Sequence, residues 1–261
     1  MAKNKKIFSF FLNFILICTI PLIGYYWHIF INQHSLIFKI PTDDKLSSYF
    51  KKEDGEVFDL ENYKLYKFNG KTNRNIIFFH GSIISPKIHY KNCKRMSEYG
   101  NIWTYLLPKY DNKERLNEFT LLRSALLVTS FISSKANKIA LFGQSLGCSL
   151  ALFVSYKLNL PIILENPFYN GKSFLKVKTS IFFRWFMSFK LRNDFYLSKI
   201  QNKVYILAAE YEDVIDKDDT LNLSKIKCDM FVKIKGTTHT TMGKQDEYFK
   251  QIGLFLNDIF E

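Results

Sequence analysis

The sequence predicts an α/β chain, a mostly parallel sheet with helices on both faces, behind an N-terminal transmembrane helix. Three observations carry this. Short unbroken apolar runs alternate with helical stretches, the pattern of a parallel sheet covered on both faces. A strand, a glycine-flanked turn and a helix follow one another between positions 138 and 158. A lysine-rich start precedes a long apolar stretch.

Taken in order, Lys3, Lys5 and Lys6 lead into the apolar stretch 7–31, interrupted by Asn13, Pro21 and His28. About 25 residues at helical rise cross a bilayer with some tilt. No small-x-small cleavage site follows, so an uncleaved anchor is expected over 1–34, ahead of a cleaved signal peptide or a buried core helix. The basic start keeps the N-terminus cytoplasmic and places the rest on the periplasmic, extracellular or lumenal side, with Tyr25, Tyr26 and Trp27 at the far interface. A linker, 35–52, leads to a catalytic domain over 53–261.

Within that domain, 57–68 reads as a hairpin of half-buried strands. The apolar run 76–79 then ends in His80-Gly81-Ser82. Helix is expected over 90–99, strand over 102–107, helix over 116–133, strand over 139–142 and helix over 148–158. Strands at 161–164, 204–208 and 230–234 and an amphipathic helix at 245–260 complete the alternation. In open parallel sheets, reactive residues gather at the carboxyl ends of strands. His80, Ser145, Asp213 and His239 all stand at such ends.

Composition bounds the function. At 261 residues the chain is one medium domain plus an appendage. Its 47% apolar content is that of a folded chain. The formal net charge of +13 points to nucleic acid or an anionic membrane, although the Lys, Asn, Ile and Phe excess also fits an AT-rich genome. No basic run with stacking aromatics is present, so no nucleic-acid partner is expected. Cys18, Cys93, Cys148 and Cys228 lack C-x-x-C spacing, so neither zinc nor another metal is expected, and nothing argues for a Cys93–Cys228 disulfide. Ile17 before Cys18 is too bulky for a lipoprotein signal.

The chemistry centres on Gly143-Gln144-Ser145-Leu146-Gly147. A serine at the apex of a sharp strand-to-helix turn has a strained backbone, and the residues two before and two after it crowd each other. Gly143 and Gly147 relieve that crowding. The turn lifts the hydroxyl over the sheet and points the first helix amides, that of Leu146 among them, into the same space, where negative charge is favoured. The competing reading is a plain glycine turn. His239, in the polar loop 236–243, is the candidate base. Asp213 is the first choice of carboxylate to orient it, with Glu212 and Asp216 as alternatives in one acidic cluster.

The order Ser, acid, His resembles that of the α/β-hydrolase superfamily. The resemblance covers about 53–261 and rests on His80-Gly81, Leu107-Pro108-Lys109-Tyr110, 143–147, Glu165-Asn166-Pro167-Phe168, Asp213 and His239. Single-pass, membrane-anchored members look most similar. The resemblance implies the α/β-hydrolase fold and an oxyanion hole made by the backbone amides of Ser82 and Leu146, with His80 and Gly81 shaping the turn. It departs at Glu210, where the family usually has glycine, and at Ser82-Ile83-Ile84, where glycine or asparagine is common. It also implies a small helical cap at about 168–200. The residues there, with Phe174, Trp185, Phe186 and Phe189 among lysines and arginines, read as a basic aromatic helix that either dips into a bilayer or packs on the domain beneath.

The expected function is a membrane-anchored serine hydrolase acting on an ester, thioester or lipid acyl bond, without cofactor or metal. An acyltransferase or peptidase on the same triad, or an inactive binding protein of this fold, are the alternatives.

Overall fold

The computed structural model describes residues 2–37, 45–82, 85–107, 116–174 and 189–261. Among these, eight strands form one sheet: β1 (Gly55–Leu60), β2 (Tyr63–Phe68), β3 (Asn75–Phe79), β4 (Asn101–Tyr105), β5 (Ile139–Gln144), β6 (Ile162–Glu165), β7 (Val204–Tyr211) and β8 (Met230–Thr238). Their order across the sheet is β1-β2-β4-β3-β5-β6-β7-β8. The β1–β2 hairpin and the β2–β4 pair are antiparallel. The remaining pairings are parallel.

The helices are α1 (Ala2–Ile37), α2 (Pro86–Met96), α3 (Glu118–Ser133), α4 (Leu146–Leu158), α5 (Gly171–Phe174), α6 (Asn193–Leu197), α7 (Asp219–Ser224) and α8 (Asp246–Phe260). Every residue of β3 and of β6 is buried, because the sheet has a core on each face. Ile77, Phe79, Leu141, Leu164 and Ile206 face α3, α4 and α6. Ile76, Phe78, Phe142, Ile163 and Leu207 face α2 and α8. Each such side chain contributes roughly 1.5–3 kcal/mol, so adjacent residues of one strand pin it from opposite sides. In α8 the apolar positions Tyr248, Phe249, Ile252, Phe255 and Leu256 recur at helical spacing and are buried on one side.

Local chemistry sets the boundaries. α2 begins four residues before the expected start, because the Ser85 side chain caps it by accepting from the Ile88 amide at 3.3 Å and Pro86 suits the first turn. Asn117 and Thr120 cap α3 reciprocally, at 2.9 and 3.0 Å. β7 and β8 each run beyond the expected ends at 208 and 234, and that extension bears on the site.

One expectation is revised. The anchor stretch is one continuous helix, α1, with Pro21 inside and apolar side chains such as Phe14, Ile17, Ile23 and Trp27 exposed. However, among the described residues no helix is long and apolar enough to cross a membrane. Asn13, Thr19, Pro21, Gly24 and His28 dilute the run. The four cysteines are free, so Cys93 and Cys228 are not bridged. The expected basic aromatic helix falls mostly on 175–188, outside the described residues. Its flanks return to the domain: Phe174 and Phe189 are buried, and the Glu118 carboxylate accepts from the Lys190 and Leu191 amides at 2.6 and 3.1 Å.

Candidate active site

Ser145 stands between β5 and α4 with φ 51° and ψ −114°, a conformation costly for a residue with a side chain. The surroundings enforce it. The Ser145 amide donates to Glu165 O at the end of β6, 2.8 Å away. A Cβ on Gly147 would lie 1.9 Å from Phe79 O, and one on Gly143 would lie 2.7 Å from the Cys148 Cα. Only glycine lets α4 start this close to β3 and β5. Leu146 opens α4, so its amide has no acceptor within the helix.

His239 follows β8, and its Nε2 lies 2.9 Å from Ser145 Oγ. Its Nδ1 lies 2.8 Å from both carboxylate oxygens of Glu212. The first-choice acid is therefore corrected: Asp213 accepts the backbone amide of His239 at 3.2 Å and does not reach the ring. Asp216 is a turn residue whose carboxylate accepts from the Asp218 amide at 3.2 Å.

The reason is register. Tyr211 of β7 pairs with Thr238 of β8, so the next residues along these parallel strands are Glu212 and His239. That alignment depends on a bulge. Pairing moves from Ala209–Ile234 to Tyr211–Thr238, and Gly236, at φ 68°, turns the surplus residues of β8. The Gly236 amide donates to Glu210 Oε2 at 2.7 Å, which accounts for a carboxylate where the resemblance leads one to expect glycine.

Glu212 is held as an anion. Burial pushes its carboxyl up, but the His239 ring and the amides of Val214 and Ile215, at 2.8 and 3.1 Å, outweigh this and leave it below the usual value. With its Nδ1–H directed at a carboxylate, the His239 ring presents a bare Nε2 to the serine hydroxyl.

His80 closes the other side. Its Nε2 accepts from the Leu107 amide at 3.2 Å, so its Nδ1–H donates to Gly81 O at 2.7 Å. That pair of bonds ties the end of β3 to the end of β4. Burial drives the His80 pKa down to about 4, so the ring is neutral and structural. Gly81 packs against the serine: a Cβ there would lie 3.2 Å from Ser145 Cβ. Ser82 is buried and lines the cleft beside Ser145.

Several contributors have no clear mark in the sequence. Asn166 sits at φ 48°, accepts from the Ala209 amide at 2.7 Å and donates to His239 O at 3.5 Å, bracing the histidine loop on β7. Behind the turn, the buried Glu165 carboxylate accepts from Gln144 Nε2 at 2.9 Å and Tyr248 OH at 2.6 Å. Thr241 Oγ1 accepts from the Thr238 amide at 2.8 Å and rounds off the loop. The cleft itself is about 340 Å³, lined by Ser82, Ser145, His239, Asn92 and the short turn at 242–244 among others. A serine with an imidazole at one end and open volume above it can attack an electrophilic carbonyl.

No protein-family profile matches the chain. An uncharacterized protein of Acanthamoeba polyphaga mimivirus is 23% identical over 224 residues, covering 73% of this chain and 75% of that protein. Among solved structures, an esterase of Pyrococcus furiosus superposes with a TM-score of 0.65 at 10% identity, covering 86% of this chain and 97% of the esterase. Est1E of Butyrivibrio proteoclasticus, with ferulic acid bound, gives 0.61 at 16% identity over 78% and 97% of the two chains. An alpha/beta hydrolase enzyme from the metagenome of lagoon sediments at Mar Chica, Morocco, gives 0.58 at 13% identity over 78% and 99%. At these identities the likeness speaks for the fold.

Proposed function

We propose that this chain, which has the α/β-hydrolase fold, is a serine hydrolase that cleaves an ester, thioester or lipid acyl bond. The observation that carries the reading is the unbroken relay from Ser145 Oγ through His239 to Glu212, with contacts of 2.9 and 2.8 Å. Ser145 Oγ attacks the carbonyl carbon as His239 Nε2 takes its proton. Glu212 holds the ring in the Nδ1–H tautomer and stabilises the imidazolium. The amides of Leu146 and Ser82 receive the developing oxyanion. The imidazolium then protonates the leaving group, the acyl group stays on Ser145, and His239 activates a water that releases it. These steps call on no cofactor.

The irregular acid loop is what favours an inactive binding protein on sequence alone. Glu212 on His239 supports the active reading instead. The reading extends to the membrane: exposed apolar side chains along α1 and the lysines before them support an N-terminal tether to a membrane. Alkaline carbonate extraction of membranes expressing the chain, with and without residues 1–34, tests this; release of the full chain into the supernatant removes the tether.

The activity is tested with a fluorophosphonate probe on the intact chain. Labelling is expected in the wild type and absent in Ser145→Ala. Labelling that persists in the variant overturns the assignment of the nucleophile.

A further inference from the structure

The lining of the cleft carries charge that the mechanism leaves unused. Ile88, Lys91, Asn92 and Arg95 of α2 all line it, at a spacing that puts them on one helix face, and Lys244 lines it from the turn at 242–244. Among the described lining residues there are three cations and no carboxylate. The acids nearby are turned away, with Glu212 behind the His239 ring and Glu165 bonded to Gln144 and Tyr248.

The three cations differ. Arg95 is engaged: its guanidinium donates to Asp246 Oδ1 at 2.6 Å and stacks 3.9 Å from the Phe249 ring centre. Lys91 and Lys244 have no ion pair or side-chain hydrogen bond among the described residues. Asn92, next to Lys91 on α2 and 6% exposed, has no side-chain hydrogen-bond partner among the described residues. Its amide faces the open cleft, where it can bond to water or to an oxygen of a bound ligand. Gly243 keeps its space clear, since a Cβ there would lie 3.0 Å from Asn92 Oδ1. A cleft lined by one sign of charge also concentrates ligands of the other sign.

We propose that, within the hydrolase reading above, the substrate carries an anionic oxygen group, a carboxylate or phosphate, on the acyl or the leaving portion. Lys91 and Lys244 neutralise that group and the Asn92 side-chain N–H donates to it, while the scissile carbonyl rests on Ser145.

The test uses the full chain in detergent and matched pairs of esters. One pair places a carboxylate on the acyl chain, mono-p-nitrophenyl glutarate against p-nitrophenyl hexanoate. The other places a phosphate on the leaving group, 4-acetoxyphenyl phosphate against phenyl acetate. The expected result is a kcat/KM about tenfold higher for the anionic ester in at least one pair, the scale of one or two charge-assisted contacts at a partly exposed site. That ratio falls toward one with added salt and in the Lys91→Gln/Lys244→Gln double variant. Equal or poorer hydrolysis of the anionic ester in both pairs, or a preference unchanged in the double variant, overturns the proposal. Fluorophosphonate labelling separates the failures. Labelling without an anionic preference sinks this inference alone, whereas no labelling sinks the hydrolase reading beneath it.

Discussion

The turn at 143–147 and the loop at 210–216 deliver side chains to the same cleft, but they are held in different ways. The turn is fixed by backbone contact: a strand before, a helix after, and two glycines with no room for a methyl group. Its partners are a few residues away in sequence or lie on adjacent strands. The acid loop is fixed by distant pairing. Glu212 meets His239 only because a bulge between β7 and β8 brings Tyr211 opposite Thr238. A turn that sterics dictate tolerates little change, whereas a loop set by register has a neighbouring acid, Asp213, ready beside the one it uses. Elements built by local exclusion announce themselves, and elements built by long-range register do not.

The sharpest way to break this comparison is to remove the acid. Glu212→Gln is expected to lower kcat by about 10⁴, because the amide cannot hold the imidazolium or enforce its tautomer. The check is kcat on the best ester found, with circular dichroism to show an intact fold. A variant within tenfold of wild type would return the role to another carboxylate.

Gly147→Ala probes the turn. A Cβ 1.9 Å from Phe79 O forces α4 away from β3, at a cost of roughly 3 kcal/mol or more. Reduced soluble yield and an earlier guanidinium midpoint are expected. A midpoint equal to wild type would show that the turn is held by something other than steric exclusion.

Acid should separate the two regions by pH window. His80, beside the turn, titrates near 6.5 unfolded and about 4 folded, so between those values the unfolded chain binds more protons. Stability is therefore full above about pH 6.5 and declines as pH falls toward 4, by about 3 kcal/mol from this residue. His89, also buried and shifted further down, adds in the same direction. Glu212 acts lower. Its folded pKa is depressed from 4.5, so its contribution is present above 4.5 and is lost only as pH falls through its folded value. Guanidinium titrations at pH 7, 5 and 4 should show most of the loss by pH 4, and a flat profile above pH 4.5 would contradict the His80 assignment.

The smallest effect is expected at Asp213. Asp213→Asn keeps an oxygen that accepts the His239 amide, so kcat should change by less than about tenfold. If it falls as far as in Glu212→Gln, the two acids have been assigned in the wrong order.

Much of this is legible in the sequence. The runs 76–79, 139–142 and 161–164 became β3, β5 and β6, since a strand buried on both faces has no polar position to break its pattern. Ser145 and His239 were legible because each stands just past a strand, in a sequence context that fits the job. The acid was misplaced by one residue, because a bulge leaves no signature beyond a glycine, Gly236, that also reads as an ordinary loop. Asn166 was visible only as part of a short segment, since its role depends on β7 and the histidine loop lying on either side of it.

By itself, then, the sequence determined the layered α/β architecture, the serine turn and the histidine that faces it, all of which follow from periodicity and local context over a few residues. Only the tertiary structure decided which carboxylate serves His239 and that Lys91, Asn92 and Lys244 share a wall of the cleft. Those facts join residues from about 27 to more than 150 positions apart, and their meeting is set by strand register and by how α2 packs on the sheet.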